Sequence, residues 1–522
     1  MTALLEVSGL TIRRNGRPVV EDVSFTLEAG GSVGVLGESG AGKSLTLKAL
    51  AGLLPAGFSA EGSVKFDGVE LIGLARRRLR EIRGPGILFM TQQAMSAFDP
   101  RAAVGGQLVQ TLLAHRDLPK GEARGIVISA LERLGFTDPA ALFARRPAEL
   151  SGGMLQRAMT AAAMILEPQL LLADEPTSAL DVLSRRQVEN ELLELTAANA
   201  SALVLVTHDL SAARRLAEKT LVMRRGRVVE AGPATILDHP QTPYVAELLA
   251  AKTRLDRVFT TALEAGGGAS AARRGRTDEN APELVAVEGV ERAYGGGRER
   301  RTVLSDLSFT IRRGEVLGLV GGSGEGKSTA ARILLGLERP DAGRVELAHA
   351  PLAEWRRRHP GGMCAVFQNY AASIDPLWSA GRAVLETTPQ TGVERARELL
   401  ARVGLGPEML ERLPHELSGG ELQRVACARA LASSPDFVVF DEALSSLDAS
   451  VQSDMLELLA SLRSPDAAWL FITHDLRAAA RLCSRIAVLS GGRIVEVLDA
   501  GRLDLARSPA ARRLIDAARA EL

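Results

Sequence analysis

Apolar positions along the chain fall into short runs that occur in the same order in its two halves. The first half opens with the alternating segments LLEVSGLTI and VVEDVSFTL, followed by the apolar run GGSVGVLG. The second half has ELVAVEGVERAY, VLSDLSFTI and GEVLGLVG. Alternation with a period of two predicts a half-buried strand, and a short continuous apolar run predicts a strand buried on both faces. Each half should therefore begin with two half-buried strands and one buried strand.

Further apolar runs follow in each half, with helical stretches between them. The first half contains PQLLLADEP and ALVLVTHD, and the second contains PDFVVFDEA and AWLFITHD. These runs predict buried parallel strands. Strands that alternate with helices predict a mostly parallel sheet covered by helices, so each half should be an α/β domain.

A glycine loop follows the first buried strand of each half, and a helical pattern follows the loop. The loops are GESGAGKS, starting at Gly37, and GGSGEGKS, starting at Gly321. In GxxxxGK[ST] the glycines let backbone N–H groups surround phosphates, the lysine reaches the outer phosphates, and the hydroxyl binds Mg²⁺. The helix N-terminus adds a favourable dipole. The chain should therefore bind nucleotide twice.

Two further motifs recur after each glycine loop. Asp174-Glu175 and Asp441-Glu442 each end a buried strand, where the aspartate can hold Mg²⁺ and the glutamate can polarise a water molecule for attack on the γ-phosphate. LSGGMLQR and LSGGELQR come before these strands. Ser-Gly-Gly at the start of a helix offers a hydroxyl and bare N–H groups to an anion.

Composition limits the remaining roles. Lys+Arg and Asp+Glu balance at 63 each, so no overall field favours nucleic acid. The three cysteines all lie in the second half and form no CxxC pair, which fits a reducing compartment and gives no metal framework. The sequence shows neither a signal peptide nor an apolar stretch of about 18 residues. If this protein serves a membrane process, we therefore expect it to act from the cytoplasmic side through partner proteins.

With these motifs in place, the chain resembles a tandem ATP-binding-cassette (ABC) ATPase over nearly its full length. The resemblance implies two P-loop domains, each with a RecA-like core, an antiparallel β subdomain and a helical signature subdomain. The domains should span residues 1–255 and 283–522, with a flexible linker at 256–282 that is rich in Gly, Ala, Ser and charge. Gln92 and Gln368 resemble the family's Q-loop glutamines, with Gln93 as the alternative to Gln92. His208 and His474, each in THDL, resemble its switch histidines.

The resemblance implies that two cassettes pack head to tail and enclose ATP between the glycine loop of one and the signature of the other. Both residue sets are complete, so two hydrolysis-competent sites are expected. The catalytic residues would be Glu175, Glu442, His208, His474, Gln92 and Gln368. The Mg²⁺ residues would be Ser44, Gln92, Asp174, Ser328, Gln368 and Asp441. The ATP-binding residues of the first half would be Arg14, Gly37, Ser39, Gly40, Gly42, Lys43, Ser44, Leu45, Ser151, Gly152, Gly153 and Asp181, and those of the second half Tyr294, Gly321, Ser323, Gly324, Gly326, Lys327, Ser328, Thr329, Ser418, Gly419, Gly420 and Asp448.

The two halves depart from the family pattern at one position each. An aromatic residue usually stacks on adenine before the glycine loop. Tyr294 fits this place, whereas the first half has Arg14. A guanidinium can stack on a base with a less constrained geometry, which predicts looser adenine recognition at the first site. Ala443 stands where the first half has Pro176, and we expect this change to leave the chemistry intact.

Three classes of tandem cassette protein compete for the function. HPQTPYVAELLAA, the SAFDP and SIDP segments, and the pairing of DEPTSALD with DEALSSLD resemble the ATPases of oligopeptide/nickel importers, specifically a fusion of the two nickel-type subunits. A tandem sugar-importer ATPase and a cassette protein acting on ribosomes or DNA are the alternatives.

The importer reading implies two integral-membrane permease subunits and an extracytoplasmic solute-binding protein as partners, with no nucleic acid. ATP and Mg²⁺ would be the cofactors. No iron–sulfur cluster is expected, because the first half has no cysteine. The chain would sit peripherally at the cytoplasmic face of the membrane. Nickel, a metal chelate and a short peptide all stay open as the solute, with a lean toward the metal.

Overall fold

The chain divides into two compact units, Met1–Leu249 and Ala250–Leu522. The computed structural model describes residues 3–38, 40–178, 180–264, 281–295, 300–444, 447 and 449–521. Each unit combines a mostly parallel sheet, an antiparallel sheet and a group of helices, as the sequence predicts.

The first unit contains the following strands and helices in its described residues. Its strands are β1 Leu5–Arg14, β2 Arg17–Leu27, β3 Ser32–Gly37, β4 Phe58–Phe66, β5 Val69–Glu70, β6 Ile87–Met90, β7 Leu170–Asp174, β8 Ala202–Val206, β9 Lys219–Arg224 and β10 Arg227–Pro233. Its helices are α1 Lys43–Leu50, α2 Arg76–Ile82, α3 Ala94–Ala97, α4 Val104–Leu113, α5 Lys120–Arg133, α6 Pro139–Ala144, α7 Gly152–Leu166, α8 Val182–Asn199, α9 Leu210–Leu216 and the start of α10 Pro243–Leu263.

The described part of the second unit repeats this order. Its strands are β11 Glu283–Tyr294, β12 Arg301–Arg312, β13 Val316–Val320, β14 Ala342–Leu347, β15 Ala350–Pro351, β16 Met363–Phe367, β17 Phe437–Asp441, β18 Ala468–Ile472, β19 Arg485–Ser490 and β20 Arg493–Asp499. Its further helices are α11 Lys327–Leu334, α12 Leu352–Arg358, α13 Ala380–Val384, α14 Gly392–Arg402, α15 Gly419–Leu431, α16 Ala449–Leu462, α17 Leu476–Leu482 and α18 Pro509–Arg519. Short 3₁₀ turns lie at Pro147–Glu149, Ala234–Leu237, Ala371–Ser373, Pro389–Thr391, Pro407–Met409, Pro414–Glu416 and Leu503–Leu505.

The two sheets of each unit have matching topologies. The six-stranded sheets have the orders β10-β9-β3-β8-β7-β6 and β16-β17-β18-β13-β19-β20. Their strands pair in parallel, except for β10 and β20 at one edge. The antiparallel sheets have the orders β2-β1-β4-β5 and β12-β11-β14-β15. The four apolar runs that end in acids or THD form β7, β8, β17 and β18, and every one of their residues is buried.

The parallel sheet of the first unit has a different core on each face. Leu170, Leu172 and Val204 pack with the antiparallel sheet and α1. Leu171 and Leu203 point the other way and pack with the helices that surround the signature. Because successive strand residues face opposite sides, one apolar run serves both cores. This arrangement brings the strand ends, the glycine loop and the acidic residues to one edge.

The helix α10 changes the predicted boundary between the halves. The sequence predicts a flexible linker at 256–282, but its first eight residues, 256–263, continue α10, and the second unit already begins at Ala250. Leu255 and Phe259, at i and i+4, are buried in the core of the second unit. Their burial gives this stretch the tertiary support that a linker lacks. Residues 265–280 of the predicted linker lie outside the described residues.

A buried ion pair joins the signature helix α7 to α8. Arg157 Nε lies 3.2 Å from Glu191 Oε1, and burial raises the pKa of Glu191 to about 7 despite the attraction of Arg157. The native state therefore keeps this proton up to about pH 7, whereas the unfolded chain releases it near the ordinary glutamate pKa of 4.5. Since the native state binds more protons between these pH values, stability falls as pH rises through them.

We expect the Glu191→Gln substitution to remove this loss. Relative to the variant, wild type should lose on the order of 2 kcal/mol between pH 5 and pH 8, after allowance for solvent screening. Urea titrations at the two pH values measure the difference. Glu132→Gln, which alters an exposed carboxylate on α5, serves as the control. Identical pH dependence in wild type and Glu191→Gln would contradict the prediction.

Candidate nucleotide sites

The glycine loop of each unit forms a preorganised cradle between a buried strand and a helix. In the first unit the loop leaves β3 at Gly37, and Gly42 immediately precedes α1 with a φ of 97°. A Cβ at Gly42 would lie 2.7 Å from Val20 Cγ2, so both the backbone angle and the space require glycine. Gly40 has a φ of 82° and nothing within 4 Å of its Cβ position, which leaves open space on that side.

The loop of the second unit repeats this geometry. Gly326 precedes α11 with a φ of 102°, and a Cβ there would lie 2.7 Å from Leu304 Cδ2. Gly324 has a φ of 79°. Gly321 follows β13, and Ser323 lies within the loop. Ser39, predicted as its counterpart in the first loop, lies outside the described residues.

Each loop lysine is buried and held by two carbonyl oxygens of its own loop. Lys43 Nζ donates to Gly37 O at 2.7 Å and Glu38 O at 2.8 Å. Lys327 Nζ donates to Gly321 O and Gly322 O, both at 2.9 Å. A buried ammonium group so oriented gives the loop a fixed positive charge for phosphate.

The next residue of each loop contacts the aspartate at the end of a neighbouring strand. Ser44 Oγ donates to Asp174 Oδ1 at 2.7 Å, and Ser328 Oγ donates to Asp441 Oδ1 at 3.2 Å. Burial raises the pKa of both aspartates, opposed by the serine hydrogen bond and reinforced by the neighbouring glutamate. Hydroxyl and carboxylate oxygens are the hard ligands that Mg²⁺ prefers, so the donor set fits this ion. Leu45 and Thr329 follow on the helices, half-buried and buried respectively.

In the first unit, three predicted catalytic residues meet at one carboxylate. Gln92 Nε2 donates to Glu175 Oε2 at 2.8 Å, and His208 Nδ1 lies 3.3 Å from the same oxygen. Burial by itself would raise the pKa of Glu175, but the hydrogen bond and charge of His208, with the charge of Lys43, lower it. Glu175 is therefore held as a carboxylate, as a general base requires. The alternative glutamine, Gln93, instead precedes α3 and is exposed.

The second unit brings the corresponding residues together more loosely. His474 Nδ1 lies 3.8 Å from Glu442 Oε1, and Lys327 Nζ lies 3.9 Å from the same oxygen. Gln368 follows β16 and is exposed, and no side-chain hydrogen bond joins it to another residue in the described ranges. The two sets of predicted catalytic residues therefore differ in geometry although their residue types match.

Both glutamates predicted to be catalytic occupy the left-handed backbone region. The φ of Glu175 is 46° and that of Glu442 is 50°. A non-glycine residue in this region is uncommon, and such strain often marks a functional turn. The amides of these residues donate to Val206 O at 2.9 Å and to Ile472 O at 3.0 Å, which fixes the turns against the neighbouring strands. Pro176 and Ala443 therefore follow the same backbone turn.

Each signature serine caps a helix. Ser151 Oγ accepts from Met154 N at 3.3 Å, and the start of α7 at Ser151 and Gly152 is exposed, with Gly153 half-buried. Ser418 and Gly419 at the start of α15 are likewise exposed, with Gly420 half-buried. In α15, Glu421 Oε2 also accepts from Ser418 N at 2.7 Å and from Ser418 Oγ at 2.8 Å. Both signatures thus present backbone N–H donors at the surface. In the second signature, however, the Glu421 carboxylate already accepts from the amide and the hydroxyl of Ser418.

The remaining predicted ligands lie in different settings. Asp181 caps α8, where its Oδ1 accepts from Leu183 N and Ser184 N. Its counterpart Asp448 lies outside the described residues. Tyr294 ends β11, and its hydroxyl donates to Glu338 Oε2 at 2.9 Å. The Arg292 guanidinium lies 5.0 Å from the Tyr294 ring centroid. Arg14 is exposed, with its guanidinium 5.7 Å from the ring centroid of Phe58.

The structure also reveals a contact that the sequence analysis missed. Gln423, on the signature helix α15, is fully buried, and its Nε2 donates to the carbonyl oxygen of Ala443, directly after Glu442. The side chain thereby ties the signature helix to the catalytic turn. The repeated LQR in both signatures, with Gln156 in the first, is the signal that could have identified this position.

The described residues contain no group of three or more His, Cys, Asp or Glu side chains arranged to hold a metal ion. Nor does any helix in the described ranges have the length and apolar character to cross a membrane.

Comparison with known proteins agrees with this geometry. The family model described as ABC transporter matches residues 20–178 and 304–445, once in each unit. The chain therefore belongs to the ABC transporter family and is an ATP-hydrolysing member with two nucleotide-binding domains. These domains have the P-loop α/β fold that the sequence predicts.

Its relatives are ATP-binding proteins of transport systems. It is 35% identical to an uncharacterized ABC transporter ATP-binding protein, YejF, of Escherichia coli K12, over 94% of this chain and 95% of the relative. It is 34% identical to the glutathione import ATP-binding protein GsiA of Pectobacterium atrosepticum, over 92% of this chain and 82% of that protein. It is 33% identical to the peptidoglycan transport ATP-binding protein YejF of Agrobacterium fabrum, over 91% of this chain and 88% of that protein.

The different residues before the two glycine loops predict unequal recognition of adenine. Tyr294→Ala should weaken ATP binding at the second site about tenfold, since stacking on a base contributes about 1–3 kcal/mol. Tyr294→Phe should retain most of the affinity. Arg14→Ala should weaken the first site only about two- to threefold, because a guanidinium stacks in a less constrained geometry.

Titration with ATP and with inorganic tripolyphosphate separates recognition of the base from that of the phosphates. Lys43→Met and Lys327→Met backgrounds isolate the second and the first site, respectively. Tripolyphosphate affinity should not change in any of the base-site variants. Equal ATP affinity of Arg14→Ala and wild type at the first site would refute a stacking role for Arg14.

Proposed function

We propose that this chain hydrolyses ATP at two sites to energise an importer of the peptide/nickel class. The observation that carries the proposal is the complete set of hydrolytic groups in each unit. Lys43, Ser44, Asp174 and Glu175 meet at one edge of the first sheet. Their counterparts Lys327, Ser328, Asp441 and Glu442 meet in the second.

We propose a separate task for each group. The glycine loop and its lysine would bind the β- and γ-phosphates, and Ser44 with Asp174 would hold Mg²⁺, with Gln92 nearby. Mg²⁺ supplies charge neutralisation for the phosphates. Glu175 would accept a proton from the attacking water, and His208 would orient Glu175 through their close contact. Ser328, Asp441, Gln368, Glu442 and His474 would take the same tasks in the second unit.

Each site would be completed by the signature of the other cassette, in a head-to-tail pair. The exposed helix starts at Ser151 and Gly419 support this, because backbone N–H groups at a helix N-terminus bind phosphate well. At Ser418, ATP would displace the Glu421 carboxylate from the amide and the hydroxyl. ATP that contacts both cassettes would favour their closed state through its differential affinity. Two permease subunits would receive this motion at the cytoplasmic face of the membrane, and an extracytoplasmic binding protein would deliver the solute.

We propose a short peptide or a peptide-containing compound as the solute. Two of the relatives are named for glutathione import and for peptidoglycan transport, and both of these solutes contain peptide. The sequence motifs slightly favour nickel or a metal chelate, which is the competing solute in the experiment below. The relatives give no support to a sugar importer or to a ribosome- or DNA-bound protein.

Uptake by a deletion strain tests the function and separates the solutes. Radiolabelled tripeptide and radioactive nickel are supplied to the deletion strain, carrying either wild type or the Glu175→Gln/Glu442→Gln double variant. Tripeptide uptake should require wild type and fail with the double variant, whereas nickel uptake should not respond. Loss of nickel uptake alone would assign the chain to metal import. A pulldown that retrieves ribosomes but no permease would refute the importer role.

A further inference from the structure

A buried cluster of five charged side chains lies beside the second switch histidine. The charged cluster consists of Lys252, Asp256, Asp475, Arg477 and Glu521, all within the second unit. The side chains of all five are at most 16% exposed. Charges this deeply buried persist only when they are paired, so their contacts fix the segments that carry them.

Arg477 is the centre of the charged cluster. Its guanidinium lies 3.1 Å from Asp475 Oδ1, 3.1 Å from Glu521 Oε2 and 3.5 Å from Asp256 Oδ1. Lys252 Nζ lies 2.7 Å from Asp256 Oδ2 and donates to Glu521 O at 3.1 Å. A planar guanidinium with several fixed donors can join three carboxylates in this way, whereas a lysine cannot.

The charged cluster contacts the switch loop, which we define as Thr473, His474 and Asp475, through the Asp475 side chain. Asp475 Oδ1 accepts from Arg477 N at 2.8 Å and so caps α17, while Asp475 N donates to Thr473 Oγ1 at 3.0 Å. Gln452 Nε2 donates to Asp475 Oδ2 at 3.3 Å. These bonds fix the residues on both sides of His474, whose Nδ1 faces Glu442.

The corresponding loop of the first unit, Thr207, His208 and Asp209, is held by different contacts. Asp209 caps α9 and bonds to Thr207 as Asp475 does to Thr473, but it pairs with Arg185 on α8 at 3.1 Å. The matching sequences THDLSAA and THDLRAA place Ser211 where the second unit has Arg477. The first loop is therefore tied to α8 by an ion pair. In the matching place the second loop has the Gln452 hydrogen bond to α16, and the charged cluster ties it in addition to α10 and Glu521.

The anchor on α10 is itself rigid. Leu255 and Phe259, on either side of Asp256, are almost fully buried in the core of the second unit. Asp256 is therefore held in place by packing, and it can position Arg477 in turn. A displacement of α10 would move a carboxylate on which the guanidinium depends.

We propose that Arg477 is a positioning residue that holds the His474 loop against α10, so that hydrolysis at the second site depends on this helix and hydrolysis at the first does not. This inference rests on the proposed hydrolysis at both sites. It makes the second-unit part of α10 a structural support for hydrolysis at the second site.

The test uses the purified full-length chain with one site disabled at a time. In a Glu175→Gln background, turnover comes from the second site, and Arg477→Gln should lower its kcat about tenfold with the KM for ATP changed less than twofold. In a Glu442→Gln background, turnover comes from the first site, and the same substitution should leave kcat unchanged. Arg477→Lys should restore part of the kcat. Asp256→Asn, which removes the α10 carboxylate but no cation, should lower the second-site kcat about threefold.

Arg481→Gln is the matched control on the same helix. Arg481 pairs with Glu457, whose side chain is 57% exposed, so its loss should not alter either kcat. Equal losses from Arg477→Gln in the two backgrounds, or losses that follow the unfolded fraction in a thermal melt, would overturn the proposal. If Arg477→Gln fails to fold, Asp256→Asn decides the question by the same comparison. If the Glu175→Gln and Glu442→Gln chains have no turnover before any further substitution, the two sites do not hydrolyse ATP independently. The kcat of Arg477→Gln is then compared with that of Arg481→Gln in the otherwise wild-type chain, and equal values would overturn the role of Arg477.

Discussion

Replacing Glu175 or Glu442 with glutamine should stop hydrolysis at the altered site while ATP still binds there. A general base contributes about 10²–10⁴-fold to a rate, so each single variant should lose at least about 100-fold at its own site. Glutamine preserves the shape of the side chain but cannot take the proton from water. The double variant should lose turnover altogether.

Single-turnover hydrolysis together with ATP binding measures both parts of this prediction. Glu61→Gln, which alters an exposed carboxylate paired with Arg13, is the control and should leave both quantities unchanged. Glu175 and Glu442 share residue type, strand position and left-handed backbone, so we expect losses of similar size. Very different losses would show that the looser contacts of Glu442 reflect unequal sites.

Replacing Lys43 or Lys327 with methionine should weaken ATP binding itself. Each ammonium group is buried and preorientated by two carbonyl oxygens, so phosphate meets a fixed charge without reorganisation. A hydrogen bond to a charged group contributes about 1.5–3 kcal/mol, which predicts a loss of affinity of about 10- to 100-fold at the altered site.

Equilibrium binding of ATP to the two single variants and the double variant tests this expectation. Methionine keeps most of the side-chain volume, so the buried loop should stay packed. Lys65→Met changes an exposed lysine on β4 and should bind ATP as wild type does. Unchanged affinity in the double variant would contradict the assignment of both loops as phosphate sites.

The sequence predicted most of the secondary structure because its patterns are local. Apolar runs of about five residues gave the buried strands, and the glycine loops gave the strand–loop–helix unit around each lysine. The motif residues Ser44 and Asp174 are far apart in the chain but meet because parallel strands bring their carboxyl ends to one edge. The resemblance to a known family supplied the tasks of these residues.

The first eight residues of the predicted linker, 256–263, show where local patterns fail. Leu255 and Phe259 give a weak helical signal by themselves, and only the core of the second unit buries them. The asymmetry between the catalytic groups was also hidden, since Glu175 and Glu442 follow similar strands. Whether Gln92 or Gln368 reaches its glutamate depends on loop conformation, which the residue types do not specify.

By itself, the sequence determined that this protein is a duplicated ATPase, because phosphate binding and water activation need particular residue types at fixed short spacings. Only the tertiary structure decided how the two copies differ. It placed Arg477 between Asp256 and Glu521, residues far from it in the chain, and it placed Gln92, but not Gln368, within hydrogen-bonding distance of its glutamate. Contacts of this kind arise when distant segments pack together, and their geometry follows from the whole core.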